Sequence, residues 1–142
     1  MNQFDQCLKT SKLKKFTVGR QQIAIEIKAA KQDLQEAADR LTKKKFKYAT
    51  INAYYSLFHA ARALLYLKGY REKSHYCLKI AIEKLYVKEK LLEPEFIAYF
   101  EEALGLRQSA DYQNVFFKDG ALRTIKGARQ FLKKTKQILK NA

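Results

Sequence analysis

The chain has 142 residues and a mass of 16.6 kDa, the length of one domain with a single core. Its 47% hydrophobic and 30% charged residues exclude a wholly disordered chain, and one proline with five glycines is too few for the many tight turns of a β-sandwich or barrel. Lysine and arginine number 29 against 14 aspartates and glutamates, a net charge of +15, and such a field attracts polyanions such as RNA, DNA or an acidic protein.

The charge is uneven. Residues 1–48 carry 12 basic and 5 acidic groups (+7), residues 49–100 carry 8 and 5 (+3), and residues 101–142 carry 9 and 4 (+5). The first eighteen residues hold Lys9, Lys12, Lys14 and Lys15, and their apolar Phe4, Leu8, Leu13 and Phe16 keep no helical spacing. They are expected to form a flexible basic arm, followed by one domain over residues 19–142. The two cysteines, Cys7 and Cys77, are too few for a disulfide framework and are expected to be free thiols. Lysines interrupt any leader-like apolar run at the N-terminus. The most apolar stretch, Leu57 to Leu67, is far shorter than the ~20 residues that span a bilayer. A cytoplasmic protein with no membrane partner is expected.

A stripe of Ile23, Ile27, Ala30, Leu34, Ala37 and Leu41, spaced alternately four and three apart, predicts a helix from Arg20 to about Lys44. The next segment, Phe46 to Lys68, is apolar nearly all round. Small residues at Ala49, Ala53, Ser56, Ala60 and Ala63 would admit a neighbouring helix closely, and Tyr54, Phe58, Ala61 and Leu65 cover a second face. A helix apolar on two faces is central in its bundle or covered by another chain, and a homodimer is expected on that ground. Gly69 ends this helix, and Ser74 caps a third carrying Leu78, Ala81, Ile82 and Leu85. Pro94 opens a fourth with Phe96, Ile97, Phe100, Ala103 and Leu104. Asp119 caps a fifth that buries Leu122, Ile125, Ala128, Leu132 and Leu139. No alternating strand pattern is present. The fold class is all-α, an up-and-down antiparallel bundle of four to five helices.

Phosphate-binding glycine loops, zinc-type Cys or His pairs and nucleophile elbows are absent, so no metal and no cofactor is expected. Two polar constellations remain. Tyr55, His59, Arg62 and Tyr66 recur at spacings of four, three and four on the apolar helix, where Arg62 requires a partner for its charge. They form either a polar seam facing a ligand or second subunit, or a snorkelling rim with a satisfied histidine. Further on, Arg107 and Asp111 lie four apart, on one helix face, with Tyr112 beside them. Gly105 just upstream costs a helix about 1 kcal/mol relative to alanine, for which a close backbone contact would account.

The run KFKYATINAYYSLFHAARAL (Lys45–Leu64) resembles the second helix of the HEPN-domain family. Lys73-Ser74-His75 is similar to that family's following loop, and RQSADY (Arg107–Tyr112) to its Arg-x-x-Ala-Asp-Tyr element. The resemblance covers residues 20–140 and is nearest to the small stand-alone branch. It implies a helical bundle, often dimeric, that binds a nucleotide or RNA and is paired with a minimal nucleotidyltransferase in a toxin–antitoxin-like system. It makes Arg107, Asp111, Tyr112, Lys73 and His75 candidate ligand-binding residues, to which the polar seam adds Tyr55, His59 and Arg62. Active members are metal-independent endoribonucleases with a histidine four to six residues after the arginine. Here Asp111, Tyr112 and Gln113 occupy those positions, so the leading expectation is a binding module. A ribonuclease using Arg107 with Asp111, Tyr112 or a histidine from another helix is the alternative, and a helical scaffold that binds no nucleic acid is the third.

Overall fold

The computed structural model describes the backbone of residues 1–113 and 118–142 and the side chains of residues 1–108 and 118–142. The chain is 77% helical, with six helices and one two-stranded sheet among the described residues. In chain order these are α1 (Gln3–Lys9), β1 (Leu13–Lys15), α2 (Arg20–Thr42), α3 (Phe46–Leu67), β2 (Tyr70–Glu72), α4 (His75–Ile82), α5 (Glu95–Gln113) and α6 (Lys118–Lys140). A π-helical turn, Glu83–Val87, extends α4.

The centre is α3, which packs against α2, α4, α5, α6 and β2. Its small stripe does what the spacing requires. Ala49, Ala53, Ser56, Ala60 and Ala63 are fully buried, and Ser56 donates a hydrogen bond to the Ala30 carbonyl of α2 at 2.8 Å. The bulky face is covered too. Tyr54, Ala61 and Leu65 are no more than 1% exposed and Phe58 is 7% exposed. Both faces are thus buried within a single chain, so the apolarity of α3 needs no second copy to explain it. Side chains such as Leu64 and Leu65 each contribute roughly 1.5–3 kcal/mol by leaving water. Tyr86, in the π turn, donates its hydroxyl to the Leu64 carbonyl at 2.5 Å and so ties that turn to α3.

Helix ends follow local chemistry. Lys44 adopts φ of 60° and closes the three-residue turn to α3, which stops α2 at Thr42, two residues early. Gly69 ends α3 in the left-handed region at φ of 83°, where an L side chain is strained. Ser74 accepts a hydrogen bond from the Cys77 amide at 3.0 Å, as an N-cap does. Asp119 lies within the first turn of α6 and not at its cap. The buried stripe of α6 runs through Ala121, Thr124, Ile125, Ala128, Phe131, Leu132 and Thr135, which leaves Leu122 42% exposed beside it and Leu139 half-buried.

The first eighteen residues are not a loose arm. Asn2 caps α1 by accepting from the Asp5 amide at 2.8 Å, and α1 buries Phe4 and Cys7. Strand β1 pairs antiparallel with β2, placing Leu13 opposite Glu72, Lys14 opposite Arg71 and Lys15 opposite Tyr70. Nor are the cysteines free: Cys7 of α1 and Cys77 of α4 form a disulfide, and both are 2% exposed. A seven-residue helix is too short to display a period, a three-residue strand too short to alternate, and a bridge across 70 residues has no local sign.

Gly105 also departs from expectation. A Cβ built there meets nothing within 4 Å, whereas one at Gly127 would touch the Tyr99 ring at 3.4 Å. The contact at Gly127 is an ordinary van der Waals distance, and close approach does not explain Gly105. Replacing Gly105 with alanine is expected to stabilise the fold by about 1 kcal/mol, because helix propensity changes and no contact is disturbed. Urea unfolding checks this, and a loss of stability would contradict it.

Candidate functional site

The predicted residues divide into two clusters that share Phe58. The first joins α2, α3 and β2. Arg62 finds the partner it requires in Glu72, which is 5% exposed: Nε donates to Oε1 at 3.1 Å and Nη2 to Oε2 at 2.7 Å. Glu26 of α2 lies 3.8 Å from the same guanidinium and 2.6 Å from Nδ1 of His59. Asp33 sits 3.7 Å from Nε2 of His59 and accepts from Asn52 at 3.1 Å. His59 and Arg62 are therefore satisfied within the chain by acids that sequence spacing did not select. Tyr66, the fourth residue of that stripe, is 8% exposed and packs its ring 6.0 Å from that of Phe16.

The second cluster joins α3, α4 and α5. Arg107 donates from Nη2 to the Tyr55 hydroxyl at 3.1 Å, and its guanidinium carbon lies 5.7 Å from the centre of the Tyr55 ring and 5.8 Å from that of Tyr54. The Tyr54 hydroxyl is hydrogen-bonded to Nδ1 of His75, and the two rings stack at 5.6 Å. Phe58 also stacks on that imidazole, 4.7 Å from His75, and carries the Arg62 guanidinium on its ring at 4.5 Å. Asp111 and Tyr112 belong to α5, and their side chains lie outside the described residues.

Burial pushes the Tyr54 phenol far above its ordinary pKa, an effect that the nearby Arg107 charge only partly offsets. Burial, then the charge of Arg107, holds His75 below its usual value. A phenol that keeps its proton beside a neutral imidazole makes Tyr54 the donor and His75 Nδ1 the acceptor. The ring hydrogen then resides on Nε2, as a donor. This has a pH consequence. As pH falls, the unfolded chain takes up the His75 proton first, so the stability this residue confers is complete above about pH 6.5 and is lost progressively below it. Urea unfolding from pH 7.5 to 5.5 should show the native chain losing more stability than His75→Gln; equal losses would contradict the assignment.

A cleft of about 620 Å³ opens beside the second cluster. Its floor includes Phe58 and His75, and its walls carry Lys14, Phe16, Arg71 and Lys73 from the two strands and their flanks. The structure thus brings Lys73, His75 and Arg62 to one cleft and Tyr55 and Arg107 to the adjoining cluster, and it leaves His59 on the α2 side. Tyr54, Glu72, Glu26, Lys14 and Arg71 were not singled out from sequence. A signal existed for the acids alone, since a buried arginine implies one. Among the described residues no group of three or more His, Cys, Asp or Glu could hold a metal ion, and no helix is long and apolar enough to cross a membrane.

A helical bundle with an arginine at the start of an Arg-x-x-Ala-Asp-Tyr element packed against a Tyr- and His-bearing central helix defines a class, and comparison with known proteins agrees. The family model described as HEPN domain matches residues 25–140. The chain belongs to the HEPN-domain family. Relatives in Methanocaldococcus jannaschii include the protein named "Putative toxin MJ0142", 30% identical over 115 residues, which are 80% of this chain and 78% of that one. A second, named "Putative toxin MJ0605", is 29% identical over 122 residues, 85% of this chain and 91% of the other.

Proposed function

We propose that this chain is a toxin-like HEPN module that binds RNA or a nucleotide where Arg107, Tyr54, Tyr55 and His75 meet. It acts in the cytoplasm as a homodimer and as one half of a toxin–antitoxin-like pair, the other half being a minimal nucleotidyltransferase. The observation that carries the reading is the Arg107 guanidinium, placed over two tyrosine rings, one of which stacks on the His75 imidazole. A planar cation with several donors suits phosphate oxygens, and the half-buried Tyr55 offers a ring against which a base can stack, while the buried Tyr54 backs the site. The net charge of +15 supports a polyanionic ligand. The names of the two archaeal relatives support the toxin reading. The dimer and the nucleotidyltransferase rest on the family resemblance. Burial of both sulfurs shields the Cys7–Cys77 bridge from thiols of a reducing compartment.

Fluorescence anisotropy with a short labelled single-stranded RNA tests the binding. Affinity should fall steeply, by about 300-fold or more between 50 and 200 mM salt if six or more phosphates of the single strand are contacted, and no binding at low salt would overturn the reading. Light scattering should give about twice 16.6 kDa; a mass at the monomer value would remove the dimer.

One observation favours the ribonuclease alternative: His75 stacks on the Tyr54 ring that also carries the Arg107 guanidinium. With Tyr54 donating to Nδ1, however, His75 presents a donor and not the proton acceptor that attack by a 2′-hydroxyl needs. Labelled RNA incubated with excess protein and a chelator should therefore remain intact. Cleavage that disappears in His75→Ala would establish the enzyme instead.

A further inference from the structure

The sheet brings together a set of cations that the proposed site does not use. Lys14 of β1 stands opposite Arg71 of β2, and Lys73 follows β2 directly. All three are exposed and line the 620 Å³ cleft. Lys14 lies within hydrogen-bonding reach of Lys73 and, with its charge, holds the Lys73 ammonium below the usual lysine pKa; Arg71 adds to the effect. Like charges held this close repel unless an anion joins them. The carboxylate in the cleft, Glu72, is already paired, each of its oxygens accepting from Arg62. The remaining lining is Lys15, Arg62 and three rings. Phe16 carries Arg71 on its ring at 5.3 Å, and Phe58 and His75 stack on each other.

We propose that Lys14, Arg71 and Lys73 form a phosphate-binding site on the β1–β2 sheet, for a phosphorylated ligand of nucleotide size. The site adjoins the Arg107 cluster, with which it shares His75, and extends the proposed function by naming the group that enters the cleft; it rests on that reading for the identity of the ligand. The volume falls in the range of sites for such molecules, about 300–1,000 Å³. Cations on the strands hold the phosphate while the aromatic floor takes the rest of the ligand, and Nε2–H of His75 is a further donor on that floor. Strand β1 lies outside residues 25–140, so the site draws on a segment beyond the family match. The phosphate has two sources, a free nucleotide or the backbone of an RNA strand.

The test uses calorimetric titration of the full chain with pyrophosphate, with a 5′-phosphorylated mononucleotide and with single-stranded RNA lacking a 5′-phosphate. Lys14→Glu/Lys73→Glu is compared with Arg129→Glu/Lys133→Glu, which changes the net charge equally on exposed positions of α6. Circular dichroism melts confirm that both fold, and Lys14→Gln/Lys73→Gln repeats the test without charge reversal. Pyrophosphate should bind the native chain, at least tenfold more weakly to the sheet variants and within about twofold as well to the α6 control. An additional loss on the mononucleotide identifies a free nucleotide as the source, and one on RNA identifies the backbone. No pyrophosphate binding, or equal losses in sheet and control variants, would overturn the site. RNA binding that depends on Arg107 and ignores the sheet would leave the proposed function standing without it. Pyrophosphate binding with RNA binding indifferent to Arg107 would do the reverse.

Discussion

Reducing the Cys7–Cys77 disulfide is expected to cost the fold about 4 kcal/mol. The bridge closes a loop across 70 residues, and cross-linking a loop of that length removes about that much conformational free energy from the unfolded chain. The native state changes little on reduction, since both sulfurs are buried and a thiol packs as a small apolar group. The effect is larger than any single cap or surface pair in the molecule supplies. It is also local in consequence, because the bridge pins α1, and through it β1 with Lys14, to α4 with His75. Urea unfolding with and without dithiothreitol measures it. The midpoint should fall strongly on reduction, and weaker pyrophosphate binding should accompany it. An unchanged midpoint would mean that the bridge does not form in solution.

Loss of the Glu72 carboxylate ranks next. Glu72 is 5% exposed, and removing one partner of a buried ion pair costs about 3–5 kcal/mol, since the other charge is left without compensation. Here the Arg62 side chain keeps 23% of its exposure and Glu26 remains 3.8 Å away, so Glu72→Ala should lie near the lower end, about 3 kcal/mol. The double change Glu72→Ala/Arg62→Met should cost less than Glu72→Ala alone, because the stranded charge goes with it. Urea unfolding of the three chains checks this. A double variant weaker than the single one would show that the pair acts through packing and not through charge.

Sequence carried the helices that bury a regular face. The stripe from Ile23 to Leu41 and the small-residue face of α3 gave α2 and α3 to within two residues, because a period repeated over twenty residues is hard to produce otherwise. The family resemblance singled out Arg107, Lys73 and His75 as candidates, and the polar spacing on α3 singled out Tyr55. What sequence left out depends on partners distant along the chain. Arg62 announced a need for an acid, yet Glu72 answers it from a strand only three residues long, and Glu26 from another helix. Tyr54 read as core and is core, but its hydroxyl reaches His75, 21 residues away. Lys14 looked like part of a solvated tail until β1 paired with β2 and placed it opposite Arg71.

The central claim is that Arg107 binds the ligand and is more than a brace for the tyrosines. The most direct measurement is the RNA affinity of Arg107→Ala and Arg107→Lys, taken together with their melting temperatures. A guanidinium over the buried Tyr54 ring and the half-buried Tyr55 ring contributes roughly 0.5–2 kcal/mol, so both variants should fold with midpoints lowered by no more than several degrees. Both should lose affinity at least tenfold, since lysine keeps the charge and lacks the planar fork. Full RNA affinity in a folded Arg107→Ala chain would contradict the account.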